Sequence, residues 1–311
     1  MAFSAAMKQL FPGKPSWSAN QLPDLSFKVA LVTGGNAGIG RETVKRLLMK
    51  NAKVYLAGRS QERAERAIDE LREETGRTAL FLQLDLADLN SVKRAAEDYK
   101  QRESRLDALI LNAGVVYPPA DHQFTAQGYD ATFGTNVIGH FLLHRLLYPT
   151  VAVSGREFDI ARIVWLSSSA SQYPRALDYE AFRDGPAHAK VHPFIMYAQS
   201  KVAATMLSMR LARNCAVDHV ASIAVDPGSI KSEIYRSSPW YIRTTDWMYS
   251  YPVEYGAVGP LYAAGSPEAA EYNGKYLKPW AALAQPIPFA LNAQEQDKLW
   301  TWLEEQVHGY V

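Results

Sequence analysis

Tyr197 and Lys201 lie four residues apart in Tyr197-Ala198-Gln199-Ser200-Lys201. On a helix that spacing places both on one face, a single turn apart. A phenol titrates near pH ~10 in water, too high for a base near neutrality. A neighbouring ammonium favours the phenolate and lowers that value, which makes Tyr197 a general acid/base with Lys201 as its tuner. Ser168, in Leu166-Ser167-Ser168-Ser169, can hold a substrate oxygen beside the Tyr197 hydroxyl. Asn136, in Gly134-Thr135-Asn136-Val137, can hold a water that links Lys201 to solvent as a proton path. A Tyr-x-x-x-Lys pair alone arises by chance on many helices, so its weight depends on its company.

That company is a glycine-rich turn, Thr33-Gly34-Gly35-Asn36-Ala37-Gly38-Ile39-Gly40. It follows an apolar run and opens a helical pattern. Residues without a Cβ let the backbone approach a pyrophosphate, and the helix start offers free N–H groups. The second apolar run ends in Ala57-Gly58-Arg59-Ser60. A carboxylate there would bond the ribose 2′-hydroxyl of NAD, whereas Arg59 suits a 2′-phosphate. The sequence therefore favours NADP(H), against the alternative of Arg59 as a solvated residue at a helix start. Asp85 follows the third run, where it bonds an adenine edge or caps the next helix.

The elements that must carry these residues are short apolar runs alternating with amphipathic stretches. Strands are expected at 29–32, 54–57, 80–84, 108–111, 163–166 and 221–225. Apart from Gln83 and Ser222 they are apolar throughout, as in strands covered on both faces. Helices are expected at 39–50, 61–74, 90–101, 131–147 and 194–213. This order predicts an α/β fold, a single doubly wound parallel sheet of Rossmann type with helices on both faces. A helix near 255–264, a last strand at 275–277 and a final helix at 293–306 complete the pattern. Residues 1–26 read as an arm that packs through Leu10, Phe11 and Trp17 or stays partly disordered. Residues 27–311 read as one domain with a substrate loop at about 229–252. Its aromatics Tyr235, Trp240, Tyr241, Trp247, Tyr249 and Tyr251 form either a lid over an apolar substrate or plain packing.

In their order along the chain these motifs resemble the classical short-chain dehydrogenase/reductase family. The resemblance runs from about Lys28 to Gly228. It covers the glycine turn, Asp85, Asn112-Ala113-Gly114, Asn136, the Ser168 region, the Tyr197–Lys201 pair and Asp226-Pro227-Gly228. Asn136-Val137-Ile138-Gly139-His140-Phe141 is similar to the retinol-dehydrogenase-like branch and its fungal members. The resemblance implies that Asn136, Ser168, Tyr197 and Lys201 are catalytic. For cofactor binding it implies Gly34, Asn36, Gly38, Ile39 and Gly40 at the turn, with Arg59, Asp85 and Leu86 along the adenosine side. Asn112, Ala113, Gly114, Tyr197, Lys201, Pro227, Gly228 and Ile230 would complete the nicotinamide side. The family's usual threonine after Pro-Gly is replaced by Ser229-Ile230-Lys231-Ser232. The spacing from Ser168 to Tyr197 exceeds that of shorter members, which leaves open which of the three serines acts.

The bulk numbers set the remaining bounds. The chain has 311 residues, 48% hydrophobic and 21% charged, with net charge +1. Such balance gives no electrostatic reason to expect nucleic acid as a partner. No run reaches the ~18 apolar residues of a spanning helix. The single cysteine, Cys215, suits a reducing compartment, and a cytoplasmic location is expected. The histidine pairs His140/His144 and His188/His192 have zinc-compatible spacing, but no third ligand is suggested nearby, and no metal is expected. The expected activity is NADP(H)-dependent carbonyl reduction or alcohol oxidation on a mid-sized, largely apolar or aromatic small molecule. The alternatives are a non-redox catalyst that retains a bound nucleotide, such as an isomerase or cyclase, and a nucleotide sensor without turnover. A homo-oligomer is compatible with the sequence.

Overall fold

A computed structural model describes residues 13–231, 234, 238 and 250–311. Eight strands form one sheet in the order β3-β2-β1-β4-β5-β6-β7-β8. They are β1 Val29–Thr33, β2 Lys53–Gly58, β3 Leu80–Gln83, β4 Ala108–Leu111, β5 Ala161–Leu166, β6 Val220–Val225, β7 Tyr276–Lys278 and β8 Ala282–Ala284. The first seven run parallel, and β8 pairs antiparallel with β7. The eighth strand escapes sequence reading because Ala282-Leu283-Ala284 is short and largely exposed, with no buried face to mark it.

The mainly apolar central strands β1, β4, β5 and β6 are buried on both sides, whereas the edge strand β3 is largely exposed. Leu31, Tyr55, Leu109 and Ile163 enter one core with α3 (Leu89–Arg102), α4 (His140–Glu157), α5 (Pro193–Cys215) and α7 (Ala293–Val307). Val32, Leu56, Ile110 and Val164 enter the other, with α1 (Gly38–Met49), α2 (Gln61–Thr75) and α6 (Val253–Gly265). Alternating side chains therefore feed opposite layers, and both layers are hydrophobic.

The N-terminal segment packs on the second layer. Trp17 is buried edge-on against Tyr262 at 5.3 Å, and the Gly13 carbonyl accepts from Trp280 Nε1 at 2.9 Å. Leu10, Phe11 and most of the aromatic stretch 235–251 lie outside the described residues. Of the named aromatics there, only Tyr251 is described, and it lies 5.1 Å edge-on from Trp280.

The helix expected at 131–147 is built in three parts. An α-turn, Ala131–Phe133, leads into a π-helical stretch, Gly134–Gly139, and then into α4. α4 runs ten residues beyond the expected end, through Pro149. Asn136 sits inside the π-helical stretch, where widened turns shift side chains off the ordinary helical register.

Candidate active site

The site lies at the carboxyl ends of the strands, around the crossover where β1 neighbours both β2 and β4. In open α/β sheets this crevice is where ligands bind. Thr33, Gly58, Leu84, Asn112 and Ser167 end or follow their strands around one cleft.

The floor of the cleft is the glycine turn. Gly34 has φ +66°, a conformation that disfavours a side chain. A Cβ on Gly40 would run into the Gly34 carbonyl and the Asn112 amide, so the helix start stays against the turn only without one. The N-cap of α1 is Ala37, which provides no side-chain hydrogen bond to the first-turn amides. Those amides and the helix dipole fit a pyrophosphate. Asn36, Gly38 and Ile39 line the same floor.

Arg59 is exposed at the rim, and its carbonyl accepts from Gln83 Nε2 at 2.8 Å. No carboxylate replaces Gly58, and a Cβ there would meet Asn36 Oδ1 at 3.3 Å. Arg63, in the first turn of α2, also lines the cleft. A second cation four positions after Arg59 was the only signal of it in the sequence. Asp85 does not cap α3. Its Oδ1 accepts from Ala87 N at 2.9 Å, while Asp88 accepts from Asn90 N at 3.0 Å as the cap. Leu86 is buried beside it, with its carbonyl against Gly139.

Opposite the floor, Asn112, Ala113 and Gly114 form the wall after β4. The backbone amides of Asn112 and Ala113 both donate to Thr33 Oγ1 at 2.9 Å. Asn112 Nδ2 donates to the Thr33 carbonyl at 2.7 Å. Lys201 reaches this wall from α5. Its Nζ is buried and donates to the Leu166 carbonyl at 2.9 Å. Burial pulls its pKa down to about 8, against the opposing pull of Asp226. The Tyr197 ring lies 5.6 Å from that nitrogen.

Two of the three serines separate by their bonds. The Ser167 hydroxyl is buried, donating to the Lys201 carbonyl at 3.0 Å or pairing with Thr205 Oγ1 at 2.8 Å. It fastens β5 to α5. The Ser168 oxygen accepts from Ala170 N at 3.2 Å and is partly exposed, so its proton can serve a substrate oxygen. Ala170 packs with Tyr197 and Ala198.

The Asn136 side chain is fully engaged. Its Oδ1 accepts from Val115 N at 2.9 Å, and its Nδ2 donates to the Val115 carbonyl and to Ser200 Oγ, both at 3.0 Å. Both amide protons are spent. Ser200 in turn donates to the Tyr197 carbonyl at 2.7 Å. The side chain therefore braces the wall after β4 against the helix of Tyr197 and Lys201.

Pro227 lines the cleft. Gly228 turns at φ +82° with its N–H donating to Asp226 Oδ1 at 2.9 Å, and a Cβ there would press on Pro279 and Trp280. Ile230 is buried, and with Ile39 it fills the space that the absent side chain of Gly256 leaves open. Ile39, not Ile230, lines the cleft.

The histidine pairs do not converge. His188 Nε2 meets Asp130 Oδ2 at 3.0 Å, whereas His192 Nδ1 accepts from Phe194 N at 3.2 Å. His140 is bonded to Thr33 and Asn136, while His144 lies in an aromatic cluster. Among the described residues no three His, Cys, Asp or Glu side chains form a metal-binding group. Nor is any described helix long and apolar enough to cross a membrane.

A parallel sheet with a bare-glycine phosphate floor, and a lysine buried one turn from a tyrosine at its mouth, defines a nucleotide-dependent oxidoreductase class. Residues 28–180 match the short chain dehydrogenase family. A short-chain dehydrogenase/reductase of Armillaria gallica is 44% identical over 98% of each chain. The polyprenol dehydrogenase of Mus musculus is 36% identical over 90% of this chain and 83% of its own. Among solved structures, an uncharacterized protein from Mycobacterium paratuberculosis superposes with a TM-score of 0.73. It is 28% identical, covering 94% of this chain and 97% of that one. The chain belongs to the short-chain dehydrogenase/reductase family, resembling its retinol-dehydrogenase-like branch, and is an oxidoreductase that uses a nicotinamide cofactor.

Proposed function

We propose that the protein is an NADP(H)-dependent carbonyl reductase or alcohol dehydrogenase for a mid-sized, largely apolar or aromatic substrate. The observation that carries this reading is Lys201, buried with its Nζ 2.9 Å from the Leu166 carbonyl and one turn from Tyr197. When bound, the nicotinamide supplies the two-electron redox chemistry. The glycine turn and the α1 amides would hold its pyrophosphate. Arg59, with Arg63 in the first turn of α2, would meet the 2′-phosphate where a carboxylate would repel it.

Tyr197 gives its phenolic proton to the substrate oxygen as a carbonyl is reduced, and takes it back in the reverse direction. The Lys201 ammonium stabilises the phenolate left behind. Its pKa, lowered to about 8 by burial, lets it return a proton to that phenolate and take one up again from water at the cleft near neutral pH. Ser168 donates a second hydrogen bond to the same substrate oxygen. Asn136 acts through position, holding Val115 and Ser200 together.

The substrate side is apolar. Val116, Ala170, Tyr117, Phe194 and Ile234 pack around Tyr197, and Tyr173 meets Phe194 edge-on at 5.7 Å. Such a wall favours a ketone, aldehyde or alcohol with a hydrocarbon or ring body. The polyprenol dehydrogenase relative is consistent with an apolar alcohol. We read residues 27–311 as one catalytic domain, working as a cytoplasmic enzyme.

The test is oxidation of NADPH, followed by absorbance, against a panel of apolar ketones and aldehydes. Tyr197→Phe keeps the ring and its packing and removes only the ionisable oxygen. It is expected to lose at least about 100-fold in turnover with NADPH binding nearly intact. A variant that keeps near-native turnover would refute the redox role of Tyr197.

A further inference from the structure

We infer that His140 is a positioning residue that ties the coenzyme turn to the catalytic helix, acting as a neutral imidazole with its proton on Nδ1. The inference rests on the roles proposed above for Asn136, Tyr197 and Lys201. It comes from counting protons around Thr33.

Thr33 Oγ1 receives two backbone N–H groups, from Asn112 and Ala113, each at 2.9 Å. Those fill its two lone pairs, so its own proton must go elsewhere. Two acceptors are in reach, the Ile110 carbonyl at 3.5 Å and His140 Nε2 at 2.9 Å. The shorter contact is the hydrogen bond. Nε2 therefore accepts, and the imidazole proton sits on Nδ1, where it donates to the Asn136 carbonyl at 3.1 Å. An imidazolium would turn a second donor onto an oxygen with no lone pair left. His140 is 2% exposed, and burial, with the nearby Lys201 charge, pulls its pKa down to about 3. Burial and the bonding pattern both favour the neutral ring near neutral pH.

The chain of bonds runs without a break through named groups. The amides after β4 bond Thr33 in the glycine turn, Thr33 bonds His140, and His140 bonds the Asn136 carbonyl. Asn136 bonds Val115 and Ser200, and Ser200 bonds the Tyr197 carbonyl. Asn136 lies in the π-helical stretch and His140 begins the α-helix that continues it. The His140 ring adds a side-chain bond to the Asn136 carbonyl, and its other nitrogen completes the Thr33 network on the coenzyme side. The imidazole thus reports the position of one half of the site to the other.

Two substitutions separate its halves. In His140→Asn the side-chain amide sits near the Nδ1 position and can still donate to the Asn136 carbonyl, but it no longer reaches Thr33. In His140→Gln the terminal group sits near Nε2 and can still accept from Thr33, but the bond to Asn136 is gone. One lost neutral hydrogen bond is expected to cost about 3- to 10-fold in the quantity it supports. His140→Gln should lose that factor in kcat with NADPH affinity nearly held. His140→Asn should lose it mainly in NADPH affinity and keep the larger share of kcat. A loss of both quantities in equal proportion in the two variants, tracking their melting temperatures, overturns the inference and leaves His140 as packing.

Tyr197→Phe, assayed alongside, distinguishes the failures. Near-native turnover in that variant removes the catalytic assignment and with it the kcat half of the inference. The NADPH titrations still read the Thr33 half without any turnover. Imidazole 15N shifts of the wild-type protein provide a measurement independent of the variants' folding. A neutral Nδ1–H tautomer unchanged between pH 8 and pH 5 supports the inference, and an Nε2–H tautomer or a protonated ring in that range overturns it.

Discussion

His144 lies one turn beyond His140 in α4, in a cluster with Trp165 at 5.5 Å, Tyr148 at 5.7 Å, Trp300 at 5.8 Å and Phe141 at 6.2 Å. It is 1% exposed, and neither ring nitrogen has a hydrogen-bond partner among the described residues. Burial, with a smaller push from the Arg145 charge, pulls its pKa down to about 3. In the unfolded chain the same group titrates near pH ~6.5. Between those values the unfolded chain holds one proton more than the folded protein. Stability therefore falls as pH falls through this window, by about 1.4 kcal/mol per pH unit. The contribution is fully present above pH ~6.5, and by pH 5 about 2 kcal/mol of it is gone.

His144→Leu removes the titrating ring at nearly constant volume and leaves no polar atom stranded. At pH 7.5 its stability should stay within about 1.5 kcal/mol of wild type. Urea unfolding at pH 7.5 and pH 5.0 then isolates the effect, because all other titrating groups are common to both proteins. Wild type should lose about 2 kcal/mol more than His144→Leu across the interval. Parallel pH dependences in the two proteins would show that His144 is already protonated or hydrated in the folded state, and the reasoning from burial would fail.

Arg59→Ala should weaken NADPH by about 1–2 kcal/mol, the modest end for a charge-assisted contact because the side chain is exposed, and leave NADH nearly unaffected; equal losses in calorimetric titrations would remove Arg59 from the 2′-phosphate. Gly40→Ala places a methyl against the Gly34 carbonyl and should cost about 1–3 kcal/mol of stability together with most coenzyme binding, read by melting with and without NADPH. Lys201→Ala should lower both turnover and coenzyme affinity, whereas Ser168→Ala should lower turnover alone. Similar coenzyme affinity in these two variants, measured by fluorescence quenching, would count against a lysine contact to the coenzyme.

The fold was legible because its physics is local and periodic. Strands buried on both faces are almost wholly apolar, and the segments between them carry one apolar face each. The last strand was silent for the opposite reason, since Ala282, Leu283 and Ala284 bury little and β8 exists only through its hydrogen bonds to β7. The end of α4 was hidden by Pro149, which reads as a stop in sequence yet sits within the helix. Asp85 and Asp88 offered the same capping chemistry three residues apart, and only the path of the chain assigned the cap to Asp88.

For the site, residue type and spacing were enough to single out Tyr197, Lys201, the glycine turn and Arg59. Each announces its chemistry through side-chain identity or the lack of a side chain. What the sequence left open was the use of groups whose bonds come from distant parts of the chain. Ser167 and Ser168 are adjacent and identical in type, and they differ only because Ser167 faces α5. His140 and His144 share a helix and a spacing, and they differ because Thr33 and Asn136 stand beside one and aromatic rings beside the other. A hydrogen bond depends on distance and direction between atoms, here 107 residues apart in Thr33 and His140, so tertiary structure alone decided which of these polar groups braces the site and which lies among aromatic rings.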